Sequence, residues 1–277
     1  MGKAEDSDMT NDTRPIGFFD SGLGGVSVLR HAADMLPCEN FIYFGDDKNA
    51  PYGTKTEREI KALTLKCGEF LYQKGVKALV MACNTATSAA VKIMREKYQL
   101  PVISIEPAVK PAMEHRPEGS KVLVLATPAT ISQQRYQSLL NRLGAADDVI
   151  NVGCERLAGL IEQGNFEDPG IGEYLNEKLN FLKNTWVSGV VIGCTHYSFV
   201  VPTIGQVVSQ ITGQPARIFD GMYGTVRQLR RVLKAEDLQN TQTQKGSIQF
   251  YTSGGEQELA NLKAAFAKFI VPPEQAL

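Results

Sequence analysis

The sequence is short of several things, and each shortage closes off a class of protein. Only five of its 277 residues are cysteine, at positions 38, 67, 83, 154 and 194. The number is odd, the spacings are wide and no C-x-x-C pair occurs. That excludes a disulfide scaffold and a structural zinc module, and it suits a reducing compartment. Neither charge sign dominates: 29 Lys and Arg stand against 30 Asp and Glu, a net charge of −1. Without a basic excess, neither nucleic acid nor a membrane surface is an expected partner. No apolar run is long enough to span a bilayer and no secretory leader is legible, so a cytoplasmic location is expected. The opening Met1-Gly2-Lys3-Ala4-Glu5-Asp6 lacks the Ser or Thr of a myristoylation signal.

What is there is ordinary in bulk: 43% hydrophobic and 21% charged residues, in a chain long enough for two modest domains. Residues 1–14 are polar and read as a mobile tail, or as one that orders against a partner or effector. Beyond them, short buried-strand runs alternate with helices. Ile16-Gly17-Phe18-Phe19 ends at Asp20, followed by Ser21-Gly22-Leu23-Gly24-Gly25 and an amphipathic helix to about Leu36. The glycine turn could cradle an anion. However, the chain has no Gly-Lys-Ser/Thr, and the G-x-G-x-x-G spacing fails at Ser27 or Val28. After a second short strand, Pro51-Tyr52-Gly53 closes a loop expected to cover a substrate. A long helix over 55–74 ends at Gly75.

Two stretches stand out. Val80-Met81-Ala82-Cys83-Asn84-Thr85 and Val190-Val191-Ile192-Gly193-Cys194-Thr195-His196 both climb an apolar strand to a cysteine and continue into polar residues where a helix should begin. The run Val122–Ala126 reaches Thr127 as the first strand reaches Asp20. The spacing from Asp20 to Cys83 is 63 residues and from Thr127 to Cys194 it is 67, so the halves read as a duplicated α/β unit. The expected fold is two pseudo-symmetric α/β domains with mainly parallel sheets and an active site in the cleft between them. Residues 1–102 with 215–277 are assigned to the first domain and 103–214 to the second.

The constellation suggests a chemistry. A free thiol has a pKa of about 8.5, lowered at a helix N-terminus, so both cysteines read as candidate thiolates. Inverting a carbon centre needs a base on one face and an acid on the other, and two thiols from matched half-sites provide both. Asp20 would assist Cys83, and His196 would assist Cys194. Ser21, Asn84, Thr85 and Thr195, with nearby backbone N–H groups, would hold the carboxylate that receives the developing charge. Cys38, Cys67 and Cys154 read as core filler. A zinc site from Cys83, Cys194 and His196 lacks good further ligands among the surrounding hydroxyl residues, so no metal is expected. Glu162, on a short apolar helix, reads from spacing alone as a solvated helix end.

Taken in order, Phe19-Asp20-Ser21-Gly22-Leu23-Gly24-Gly25, Tyr43-Phe44-Gly45-Asp46, Pro51-Tyr52-Gly53, Ala82-Cys83-Asn84-Thr85-Ala86, Glu106-Pro107, Ala126-Thr127 and Gly193-Cys194-Thr195-His196-Tyr197 resemble the glutamate racemase family over most of the chain. The resemblance implies a cofactor-independent isomerase that makes D-glutamate for peptidoglycan. It implies Cys83 and Cys194 as proton donor/acceptors, with Asp20, His196 and Glu162 as assisting groups. It further implies substrate contacts from Asp20, Ser21, Pro51, Tyr52, Gly53, Asn84, Thr85, Thr127, Thr195 and His196. A homodimer, and activation by a UDP-linked muramoyl-alanine precursor, are further expectations from the family. One loop departs from its pattern. Asp46-Asp47-Lys48-Asn49-Ala50 lacks the arginine usual before Pro-Tyr-Gly, so no contact of that arginine is carried over. The competing readings are an aspartate or hydantoin racemase and, from another class, an anion- or nucleotide-binding protein that uses the glycine loop.

Overall fold

The structure, a computed structural model, describes residues 11–274. The first unit is β1 (Ile16–Asp20), α1 (Val26–Met35), β2 (Phe41–Gly45), α2 (Glu57–Gln73), β3 (Ala78–Met81), α3 (Asn84–Lys97) and β4 (Val102–Ser104). After α4 (Val109–Glu114) the second runs β5 (Lys121–Ala126), α5 (Pro128–Ser132), α6 (Gln134–Leu143), β6 (Val149–Gly153), α7 (Leu157–Glu162), α8 (Pro169–Leu179), β7 (Val187–Ile192), α9 (Val201–Thr212) and β8 (Arg217–Asp220). The chain ends with α10 (Gly221–Ala235), β9 (Ile248–Thr252) and α11 (Glu256–Lys268).

Two parallel sheets result, ordered β4-β3-β1-β2-β9 and β6-β5-β7-β8. Counted from the first strand of each unit, both read fourth, third, first, second. The duplication inferred from spacing is therefore a duplication of topology, with β9 added beside β2. In each sheet the strand order reverses at the first strand, and ligands bind at the carboxyl ends beside such a switch. Asp20 ends β1 and Cys83 lies just past β3, next to it in the sheet. Thr127 and Cys194 occupy the corresponding places after β5 and β7.

The strands are buried on both faces, and successive side chains serve different cores. Phe18 and Val80 pack into a core that also takes Leu123 and Leu125 from the other sheet. Phe19, Leu79 and Met81 face α2 and α3, while Val122 and Val124 face α4 and α6. The two units thus share one apolar core beneath the cleft, which fixes how the sheets meet.

Local sequence sets the helix starts. Thr56 and Glu59 form a reciprocal capping box at α2. Thr127 caps α5 through Thr130 N at 3.2 Å, and Asp220 caps α10 through Met222 N at 2.9 Å. At α3 the cap is a thiol: Cys83 Sγ accepts from Ala86 N at 3.4 Å. The residue that begins this helix is therefore also the one that faces the cleft.

Several expectations are corrected. The domain limits at 102/103 and 214/215 do not follow the strand pairing: β4 pairs with β3 through residue 104, and β8 pairs with β7 in the second sheet. β8 is the second unit's fourth strand, and the chain returns after Asp220, where α10 packs on α1. After Cys194 the chain enters a 3-10 helix, Thr195–Val200, that leads into α9. α8 ends at Leu179 and passes into a 3-10 turn, Asn180–Leu182. Of the tail, residues 1–10 lie outside the described residues, but 11–14 are held. Asp12 N donates to Gln239 O at 3.3 Å, Asn40 Nδ2 to Thr13 O at 2.9 Å, and Lys77 Nζ to Asp12 O at 2.5 Å.

Lys77 is fully buried and pairs with buried Glu39 at 2.7 Å. Replacing Glu39 with alanine leaves that ammonium without its carboxylate. A loss of about 3–5 kcal/mol in unfolding free energy is expected, read as a lower urea midpoint. No helix among the described residues is long and apolar enough to cross a membrane.

Candidate active site

Both thiols lie at the closed seam between the two sheets. Cys83 is 5% exposed and Cys194 7%, with Asp20, Thr195 and His196 buried beside them. Asp20 links the halves: its Oδ1 accepts from Ser21 Oγ at 3.0 Å and its Oδ2 from Thr195 Oγ1, across the seam, at 2.6 Å. Ser21 N also donates to Asp20. Cys83 Sγ lies 3.8 Å from Ser21 Oγ, so Asp20 reaches the first thiol through Ser21. Cys194 Sγ lies 3.7 Å from His196 Nδ1, and His196 Nε2 is hydrogen-bonded to Glu162.

The electrostatics differ on the two sides. Burial pushes the Cys83 thiol well above its usual pKa, and the Asp20 carboxylate pushes it further. The Ala86 N–H and Ser21 pull it down by less. The expectation of a ready thiolate at position 83 is therefore corrected, because dehydration outweighs one helix N–H. A charge on Cys194 acts on Cys83 as well, so the thiols are within electrostatic reach of each other. On the second side, burial opposes a charged His196, but Glu162 and Cys194 outweigh it and hold the imidazole well above its usual value. Burial likewise opposes a charged Glu162, yet the imidazolium keeps that carboxyl below the usual range. A charged pair thus stands behind Cys194 at neutral pH.

Glu162 is not a solvated helix end. It reaches across the seam, where its Oε1 accepts from Leu23 N at 3.0 Å. That bond occupies an N–H of the glycine turn that an anion would need, which weighs against the anion-loop reading. The other expected contacts divide. Asn84 is buried, and neither its Oδ1 nor its Nδ2 has a partner, so both are open to a ligand. Thr85 and Thr127 hydroxyls lie 3.0 Å apart, and Thr130, which the sequence reading missed, joins both at 3.1 and 2.9 Å. Thr130 stands three residues after its own cap Thr127, a spacing that carried the signal. Gly53 lies against Thr127. Tyr52 is buried, with its hydroxyl committed to Asp46 Oδ2 at 2.5 Å and facing Cys67 Sγ at 3.6 Å. Tyr52 and Pro51 therefore shape the loop, and the Tyr52 hydroxyl points at the protein interior. Asp46, the acceptor of that hydroxyl, braces the loop. It anchors Asn49 and Ser253 as well, at 2.9 and 2.6 Å.

Among the described residues, no group of three or more His, Cys, Asp and Glu is arranged to hold a metal ion. A cavity of 270 Å³ lined by Asp220, Tyr223 and Arg227 opens elsewhere and includes neither thiol.

Two buried thiols stand at equivalent strand ends, with the Ser21 hydroxyl beside one and the His196 ring beside the other. The Asp/Glu/hydantoin racemase family model matches residues 26–229. A glutamate racemase of Clostridium perfringens is 47% identical over 240 residues, covering 86% of this chain and 90% of that one. Glutamate racemase structures are also similar. That of Francisella tularensis, in complex with D-glutamate, has a TM-score of 0.78 at 28% identity and covers 93% of this chain and 95% of that one. That of Escherichia coli, in complex with L-glutamate and the activator UDP-MurNAc-ala, has a TM-score of 0.74 at 27% identity, covering 91% and 95%. The chain belongs to the Asp/Glu/hydantoin racemase family and is an isomerase.

Proposed function

We propose that the chain interconverts L- and D-glutamate by passing the Cα proton between two thiols, Cys83 on one face and Cys194 on the other, and so supplies D-glutamate for peptidoglycan. One observation carries the reading: the two thiols stand at equivalent strand ends of like-wound sheets and share a single closed seam. One thiolate takes the Cα proton, the opposite thiol delivers another, and the reverse reaction exchanges the roles. Cys83 needs help to ionise. The α-ammonium of the substrate brings a positive charge that offsets burial and Asp20. The His196 imidazolium, held by Glu162, hydrogen-bonds Cys194. Ser21, Asn84, Thr85 and Thr195 hold the carboxylate on which charge develops, and the unpartnered Asn84 amide supports that role.

The test is conversion of L-glutamate in deuterium oxide without added cofactor. The D-glutamate formed should carry deuterium at Cα, and aspartate should not turn over. Absence of both inversion and exchange would sink the proposal.

The activator bound in the E. coli structure supports a UDP-linked muramoyl-alanine activator here too. An unchanged rate on adding that precursor removes this part. A homodimer is inferred from the family resemblance, and a monomer mass by light scattering would overturn it. A cytoplasmic location is supported by the cysteines, all five of which are free.

A further inference from the structure

Four successive side chains after Cys194 are each held from a different place in the fold. Thr195 Oγ1 donates to Asp20 Oδ2 at 2.6 Å, and His196 Nε2 is hydrogen-bonded to Glu162. Tyr197 Oη donates to Cys154 O at 3.0 Å. Ser198 Oγ donates to Asp220 Oδ2 at 2.5 Å. The last bond has no part in the chemistry described above, yet both of its groups are out of water: Ser198 is 3% exposed and Asp220 8%. Asp220 ends β8 beside Ile192 of β7, and its other oxygen accepts from Met222 N at the start of α10, at 2.9 Å. One residue on, a Cβ at Gly221 would run into Glu106 O, so the outward and return crossings between the two units touch here.

A 3-10 helix has three residues per turn, so its side chains at i and i+3 lie one above the other. Thr195 and Ser198 are such a pair in the 3-10 helix Thr195–Val200. That face is therefore pinned twice, by Thr195 to the first unit at Asp20 and by Ser198 to the return crossing at Asp220. One fixed point sets only the place of the helix; two set its rotation as well. His196 projects from the next face, and Tyr197 N joins the helix to Cys194 O at 3.0 Å. The rotation held at Ser198 thus sets the 3.7 Å approach of His196 Nδ1 to Cys194 Sγ. Cys83 is placed separately, by its bond from Ala86 N at 3.4 Å and by Ser21.

We propose that Ser198 is a positioning residue for one side of the centre: its bond to Asp220 holds the His196 ring against Cys194 and so governs proton transfer at Cys194 and not at Cys83. The proposal rests on the reading of the two cysteines as the proton-transferring thiols. A turn freed at Ser198 pivots about Thr195, and the ring leaves its place beside the second thiol. One of the two proton transfers is then slowed. The other, made by a thiol fixed to α3, keeps its rate.

Two variants test this. Ser198→Ala removes the bond. Asp220→Asn keeps the size and the cap on α10, since Asn caps helices as well as Asp does, but leaves Ser198 only a weaker, neutral bond. The readout is the rate penalty in kcat/KM when the Cα hydrogen of glutamate is replaced by deuterium, measured for each enantiomer. Ser198→Ala should lower kcat about tenfold with little change in KM, below the cost of about 10²-fold for a 1 Å misplacement. The penalty should grow for the enantiomer that Cys194 deprotonates, because that step becomes more limiting. It should shrink for the other, where Cys83 breaks the bond to deuterium and Cys194 only delivers a proton. Asp220→Asn should move the two penalties in the same senses by less, and it decides alone if Ser198→Ala does not fold. A rise in KM alone, or penalties that stay as in the wild type or move together, would show a general brace of the fold and overturn the proposal. Failure of the racemase reading looks different, since the wild type itself would then show no exchange of the glutamate Cα proton.

Discussion

Replacing Cys83 with alanine is expected to end inversion of glutamate, with a loss of about 10²–10⁴-fold or more in kcat, and Cys194→Ala is expected to do the same. Neither change should unfold the protein. Cys83→Ala removes a weak sulfur cap from α3, and Cys194→Ala a small apolar body from the seam. Each effect lies within the usual range of a few kcal/mol for one buried side chain. The sharper expectation concerns exchange. With Cys194→Ala, the thiol at 83 still faces one side of the substrate. It should remove the Cα proton of the enantiomer presented to it and return a solvent proton to the same face. Exchange without inversion should therefore survive for one enantiomer only, and Cys83→Ala should leave it for the other. Circular dichroism follows inversion and proton NMR in deuterium oxide follows exchange. Inversion at the wild-type rate in either variant would show that a two-thiol mechanism is wrong.

How much of this was visible beforehand depends on the range of the interactions. Strand ends are local, and Cys83 and Cys194 could be found because an apolar run followed by polar residues marks a strand end in an α/β chain. The matched 63- and 67-residue spacings carried the duplication, since two units with the same strand order need similar lengths between equivalent positions. Charge states were not visible. The thiol at 83 read as activated because a helix begins there, but burial and Asp20 outweigh one N–H, and burial is a property of the whole fold. Glu162 read as solvated because its partners, Leu23 and His196, are 139 and 34 residues away in the chain. The place of β8 was missed for a similar reason. A four-residue strand is short enough to suit either sheet, and only its pairing with β7 decides.

Gly24→Ala should cut activity sharply. A methyl group there would stand 2.7 Å from His196 N and 2.7 Å from Thr195 Oγ1, and would run into His196 Nδ1. No real Cβ sits so close, and one of the neighbours is backbone, so the turn after Cys194 must move away from the turn after Asp20. Those two turns register the half-sites: the 2.6 Å bond from Thr195 to Asp20 spans them, and His196 is fixed to Cys194 on one of them. A shift of about 1 Å in reacting groups is worth about 10²-fold in rate, so kcat/KM should fall by at least that order. The stability loss should stay near the 1–3 kcal/mol of ordinary overpacking, because the displaced turns lie at the seam and the shared apolar core lies beneath it. Gly159→Ala is the matched control. Gly159 lies on α7, the helix that carries Glu162, yet a Cβ there meets nothing within 4 Å. That variant should keep full activity and gain about 0.4–1 kcal/mol from reduced freedom of the unfolded chain. Melting curves and the dichroism assay on the two proteins separate the effects. A Gly24→Ala enzyme with the wild-type rate would mean that the half-sites are held in register by something other than this contact.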